Sequence, residues 1–151
     1  MTVATAESCT GGLIAKSITD VAGSSAYFRG GVVAYSNEVK VRLLGVPEEQ
    51  LAAYGAVSAQ VARSMAVGAL ACTGADFAVA VTGVSGPGGG SPAKPVGMTY
   101  VAVADARGVY IRRFQWSGDR LGNREATVLA GLEMLLERIS AMKVDEPGTE
   151  A

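Results

Sequence analysis

The chain has 151 residues, 49% of them hydrophobic, with 13 basic against 14 acidic side chains. That suits one domain with a substantial core, and it leaves no positive field to hold a nucleic-acid backbone. There is no histidine, which excludes Ser-His-Asp and Cys-His machinery; Cys9 and Cys72 lack CxxC spacing, so neither a zinc site nor a disulfide framework is expected and no metal or cofactor is called for.

In chain order, residues 3–6 read as a short buried strand, and Thr10-Gly11-Gly12 leads into an apolar-periodic helix through Leu13, Ile14, Ile18 and Val21 that Gly23 closes. Residues 32–35 read as a second strand, with Asn37 the expected N-cap of a short helix carrying Val39, Val41 and Leu44 up to Gly45. Pro47 starts another short helix, and Ser58 caps a longer one that ends at Gly74. Residues 77–82 are apolar throughout, as in a central strand covered on both faces. Residues 98–104 and 109–116 alternate apolar and polar around Asp105-Ala106-Arg107-Gly108 and predict a hairpin. Asp119 opens a last helix with a stripe of Val128, Leu132, Leu135 and Ile139. The expected fold class is α/β, a single three-layer sandwich with one mixed β-sheet flanked by helices, spanning 1–142, with 143–151 a disordered tail. No apolar run is long enough for a bilayer and no signal-peptide pattern opens the chain. The expected setting is therefore the cytoplasm, without membrane or nucleic-acid partners.

Ser8 follows the first strand and precedes a helix, where free N–H groups suit an oxyanion or phosphate; Gly11 and Gly12 allow close approach of a ligand. Ser8 also fits an N-cap role, but Thr10 can serve as the cap instead. With histidine absent, the base must be lysine or tyrosine. Lys40 falls in the first turn of its helix, where the dipole disfavours an ammonium and, with partial burial, lowers its pKa. Tyr35 at the preceding strand end is placed to relay a proton. The bland alternative is a solvated lysine and a core-edge tyrosine. Glu7 either orients Lys40 or binds a ribose hydroxyl, and Cys9 is a rival nucleophile. The glycine loop 83–91 follows the central strand and is neither a GxGxxG nor a Walker A motif. Gly83, Ser85, Gly86, Gly89, Ser91 and Lys94 are its candidate ligand contacts; the alternative is a flexible crossing between two strands. Arg120 and Arg124, one turn apart, suit bidentate grip on phosphate or carboxylate.

Together, the segments AESCTGG, GSSAYFRGGVVAYSNEVK, GAVS, VTGVSGPGGGSPAKPVG and the GDR before the last helix closely resemble the CinA C-terminal domain family, from about Val3 to Leu136. That family includes nicotinamide-nucleotide amidohydrolases of the PncC type. The resemblance implies hydrolysis of the carboxamide of nicotinamide mononucleotide, a small-molecule nucleotide substrate, to nicotinate mononucleotide and ammonia, within pyridine-nucleotide recycling. By motif match it puts the nucleophile on Ser8, with Tyr35 and Lys40 as its activating partners. It also implies a homo-oligomer, a dimer. The helix that usually precedes the first strand in this family is missing or the start is truncated, and the molybdopterin-cofactor-like domain of longer relatives is absent, which implies a stand-alone form. Two rival functions are a non-catalytic nucleotide-sensing or partner-binding module linked to competence or DNA damage, and a hydrolase of another small amide.

Overall fold

Small and branched residues alternate along Val3-Ala4-Thr5-Ala6, Ala78-Val79-Ala80-Val81 and Val101-Ala102-Val103-Ala104. Since strand side chains alternate between faces, this pattern gives a sheet with one alanine face and one valine face. The computed structural model, which describes residues 1–145, realises it. Strands β1 (Val3–Glu7), β2 (Phe28–Val33), β3 (Phe77–Gly83), β4 (Met98–Asp105) and β5 (Gly108–Gln115) form one sheet in the order β2-β1-β3-β4-β5. β1 runs parallel to both β2 and β3, whereas β4 is antiparallel to β3 and β5 to β4, so the sheet is mixed as expected.

Helix α4 (Ala59–Thr73) lies on the alanine face, where its own Ala62, Ala66 and Ala69 meet Ala4, Ala6, Ala78, Ala80, Ala102 and Ala104. Helices α2 (Asn37–Leu44) and α3 (Glu48–Tyr54) pack on α4. The valine face is covered by α1 (Leu13–Thr19), through Ile14 and Ile18, and by α5 (Arg120–Asp145), through Met134 and Leu135. Three layers result. No helix among the described residues is long and apolar enough to cross a membrane.

The chain leaves β1 for β2 on one side and returns to β3 on the other, so strand order reverses at β1. Open α/β sheets place ligands outside the carboxyl ends of strands at such a switch point. β1, β2, β3 and β5 all run in the same direction and end on one edge. That edge receives Ser8, the Ala34–Tyr35 segment with α2 behind it, the glycine loop and the start of α5.

Several boundaries differ from the sequence reading. β2 starts four residues earlier than the expected 32–35 and stops at Val33, because an edge strand through Arg29-Gly30-Gly31 carries little apolar signal. Ser36, not Asn37, caps α2, its Oγ accepting from the Val39 N–H at 3.2 Å. α1 ends at Thr19, before Val21, and a 3-10 turn at Ser24–Ala26 follows Gly23. β4 is buried on both faces rather than alternating, since α4 and α5 sandwich it. The expected stripe of Val128, Leu132, Leu135 and Ile139 packs on the valine-face core, and buried Asn123 and Thr127 extend the inward face of α5 toward its N-terminus. The helix includes residues 143–145 of the expected tail; 146–151 lie outside the described residues.

Gly68 sets the distance between α4 and the end of α2. A Cβ there would lie 2.0 Å from the Leu44 carbonyl oxygen, which is backbone and has nowhere to yield. Gly68→Ala is expected to destabilise the fold by about 1–3 kcal/mol, measured as a lower urea midpoint; an unchanged midpoint would show that α2 is not held by this approach.

Candidate active site

Ser8 is the first residue past β1 and is 8% exposed. Its N–H continues the ladder by donating to the Val81 carbonyl at 3.1 Å, which fixes the backbone from which Oγ projects. Lys40 reaches that hydroxyl from α2: Nζ lies 3.0 Å from Ser8 Oγ. The lysine is 1% exposed, among the largest fully buried side chains of the protein. Its Nζ also donates to the Ala34 carbonyl at 2.8 Å and the Tyr35 carbonyl at 3.2 Å. No carboxylate pairs with it among the described residues. Burial therefore pushes its ammonium below the ordinary lysine value, opposed only in part by charge on nearby Cys9.

The three oxygens around Nζ serve both protonation states. An ammonium donates to all three; a neutral amine donates to the two carbonyls and turns its lone pair to the Ser8 hydroxyl. A proton can pass between Ser8 and Lys40 without movement of the lysine.

A cleft of about 310 Å³ opens over this pair. Its walls include Tyr35, Thr82, Gly83, Ser85, Gly86 and Gly89, with Arg120 at the α5 side. Arg120 donates through Nη1 to the Gly86 carbonyl at 2.8 Å and through Nη2 to the Tyr35 hydroxyl at 3.2 Å. The Tyr35 hydroxyl is thus held by Arg120 rather than by Ser8 or Lys40, and only its carbonyl meets the lysine. The ring itself stands 61% exposed at the cleft. No group of three or more Cys, Asp and Glu side chains placed to hold a metal ion occurs among the described residues.

The remaining sequence candidates separate into those that line the cleft and those that build it. Glu7 neither orients Lys40 nor faces the cleft. It is 1% exposed and caps α1: Oε1 accepts from Thr10 Oγ1 at 2.6 Å and the Ile14 N–H at 2.8 Å, and Oε2 from the Ala15 N–H at 3.1 Å. A carboxylate at a helix N-terminus satisfies the orphan donors and the dipole together. The N–H groups of Ile14 and Ala15 are therefore consumed by Glu7 and that of Leu13 by the Thr10 carbonyl, whereas those of Cys9, Thr10 and Gly12 donate to no carbonyl or carboxylate among the described residues. Thr10 is buried with its hydroxyl on Glu7, and the N-cap position falls to Gly12 at φ 106. Gly11 lies under Arg124, whose Nη2 would be 3.3 Å from an added Cβ. Arg124 is not turned to the cleft with Arg120: its Nε and Nη2 donate to the Cys9 and Thr10 carbonyls at 3.0 and 3.1 Å. Ser91 accepts from the Lys94 N–H in a turn away from the cleft, and Lys94 Nζ donates to the Tyr54 carbonyl. Two cleft neighbours were not foreseen. Thr82 is buried with its hydroxyl on the Ala56 carbonyl, and Asn123 grips the glycine loop from behind. Asn123 was legible as a polar residue on the inward face of α5, one turn before Thr127.

A model of the CinA C-terminal domain matches residues 1–139. The chain is 56% identical over 139 residues to a CinA-like protein of Geobacter sulfurreducens, a match covering 92% of this chain and 34% of that protein. It is 56% identical over 135 residues to a nicotinamide-nucleotide amidohydrolase PncC of Pseudomonas putida, covering 89% of this chain and 84% of that protein. The crystal structure of the competence/damage inducible protein CihA from Agrobacterium tumefaciens matches with a TM-score of 0.89 at 50% identity, over 91% of this chain and 84% of that one. The chain spans about a third of the length of the first curated relatives it matches.

Cys9 lines the cleft beside Ser8 but is 7% exposed, and burial pushes its thiol up to about 11. The thiolate needed of a nucleophile is therefore scarce near neutral pH. Iodoacetamide at pH 8 is expected to label exposed Cys72 and spare Cys9 in the folded protein, read by peptide mass spectrometry; rapid labelling of Cys9 would restore it as a rival to Ser8.

Proposed function

This chain belongs to the CinA C-terminal domain family, and we propose that it is a serine amidohydrolase that converts nicotinamide mononucleotide to nicotinate mononucleotide and ammonia. The observation that carries this reading is the buried, carboxylate-free amine of Lys40 at 3.0 Å from Ser8 Oγ. A lysine kept in such surroundings is costly to the fold and is of the kind used as a base. The naming of the Pseudomonas putida relative supplies the substrate class.

In this mechanism neutral Lys40 takes the Ser8 proton as Oγ attacks the carboxamide carbon. The tetrahedral intermediate collapses with cleavage of the C–N bond, and the Lys40 ammonium returns the proton to the leaving nitrogen, which departs as ammonia. Water then attacks the acyl ester with Lys40 again as base, releasing the carboxylic acid and regenerating the Ser8 hydroxyl. Tyr35 has a part other than proton relay: its exposed ring offers a π face to the cationic pyridinium. Arg120 suits the substrate phosphate. The cleft, at about 310 Å³, is at the small end of the roughly 300–1,000 Å³ of ligand pockets, which favours a mononucleotide over a dinucleotide. A sensing module without turnover would have no use for the Ser8–Lys40 contact.

Ser8→Ala is expected to lower kcat/KM for ammonia release by on the order of 10³-fold or more, and Lys40→Met by about 10²–10⁴-fold. Because the active lysine is the neutral one, wild-type kcat/KM rises with pH, along a limb centred below the ordinary lysine value of 10.5, and this limb disappears in Lys40→Met. Wild-type turnover by Ser8→Ala would refute the nucleophile, and an unchanged pH profile in Lys40→Met would refute the base.

A further inference from the structure

Attack by Ser8 puts negative charge on the former carboxamide oxygen, and a serine hydrolase needs fixed N–H donors to receive it. The N–H of Ser8 itself is spent on the Val81 carbonyl, and that of Gly11 on the Ser8 carbonyl. Glu7 and the Thr10 carbonyl take those of Leu13, Ile14 and Ala15. In the nucleophile's own segment the N–H groups of Cys9, Thr10 and Gly12 donate to no carbonyl or carboxylate among the described residues, and the glycine loop across the cleft can supply a further donor from the opposite side.

Asn123 is 2% exposed and has no access to the cleft, yet both ends of its amide are committed. Oδ1 accepts from the Gly118 N–H at 2.9 Å, and Nδ2 donates to the Ser85 carbonyl at 3.0 Å. The amide orientation is dictated by its partners, since a backbone N–H only donates and a carbonyl only accepts. The Ser85–Gly86 peptide is trans, so its carbonyl and its N–H point in opposite directions. With the Ser85 carbonyl drawn toward α5, the Gly86 N–H is turned away from α5. Gly86 is a buried wall residue of the cleft, and its N–H donates to no group among the described residues. A buried N–H without a partner is costly, which suits a donor reserved for a ligand. Arg120 reinforces the same segment by holding the Gly86 carbonyl.

We infer that Asn123 is a positioning residue that, by anchoring the Ser85 carbonyl, aims the Gly86 N–H into the cleft as an oxyanion donor opposite Ser8. This rests on the amidohydrolase reading above and adds to it a donor on the glycine loop, with a residue on α5 that controls it. Asn123→Asp is diagnostic because it is isosteric: it keeps the bond from Gly118 but sets a carboxylate oxygen against the Ser85 carbonyl, which turns the peptide.

The test is steady-state ammonia release from nicotinamide mononucleotide by the wild-type chain and Asn123→Asp, with folding checked by circular dichroism. The expected result is a loss in kcat of about 10²-fold with KM retained, since an oxyanion donor acts in the transition state and not on bound substrate. A kcat close to wild type, or a loss confined to KM, would overturn the inference. If Asn123→Asp does not fold, Asn123→Ser, which keeps a neutral hydroxyl of shorter reach, is read in the same way. If wild type releases no ammonia, the proposed substrate fails, and acylation of Ser8 by p-nitrophenyl acetate decides for Asn123 alone: slower acylation in the variant sustains its role, and equal rates in both proteins, including none in either, overturn it.

Discussion

An amine buried among backbone carbonyls, with no carboxylate to hold its charge, is the constraint around which this molecule is arranged. Water would solvate an ammonium far better than two carbonyls and a hydroxyl can, so placing Lys40 at 1% exposure biases it toward the neutral state. The cost is borne by packing elsewhere. The alanine face brings α4 close to the sheet, Gly68 lets the end of α2 approach α4, and α2 in turn carries Lys40 to Ser8.

The carboxyl edge of the sheet assembles the rest. β1 delivers Ser8, the segment after β2 supplies the carbonyls that seat the amine of Lys40, β3 leads into the glycine wall, and β5 leads into α5. The first two turns of α5 then act on both loops at once. Arg124 holds the carbonyls after Ser8, while Asn123 and Arg120 hold those of Ser85 and Gly86. Each of these side chains donates to a carbonyl, so each sets the direction of a peptide plane at the edge of the cleft.

Much of this was legible from residue order. The wholly apolar run 77–82 announces a central strand covered on both faces, and the caps at Ser58 and Gly74 bound α4 as local rules predict. The absence of histidine leaves lysine or tyrosine as the base, and the structure brings Lys40 to Ser8 while the Tyr35 hydroxyl goes to Arg120. What was not legible depends on long-range packing. Glu7 acts as a cap from seven and eight residues before the N–H groups it receives, outside the spacing of any local capping pattern. Arg120 and Arg124 share a helix face by spacing, but the site of Arg124 is decided by a turn more than a hundred residues away. β2 is not legible at its start because its pairing with β1, not its Arg29-Gly30-Gly31 sequence, makes it a strand.

The protonation of Lys40 can be observed without substrate. With lysine labelled at ¹³Cε and ¹⁵Nζ and the Lys40 signal assigned by comparison with Lys40→Met, its titration in the folded wild-type protein reports the amine directly. A midpoint clearly below 10.5 is the predicted result. A Lys40 that titrates at or above that value while Ser8 remains beside it would contradict the account.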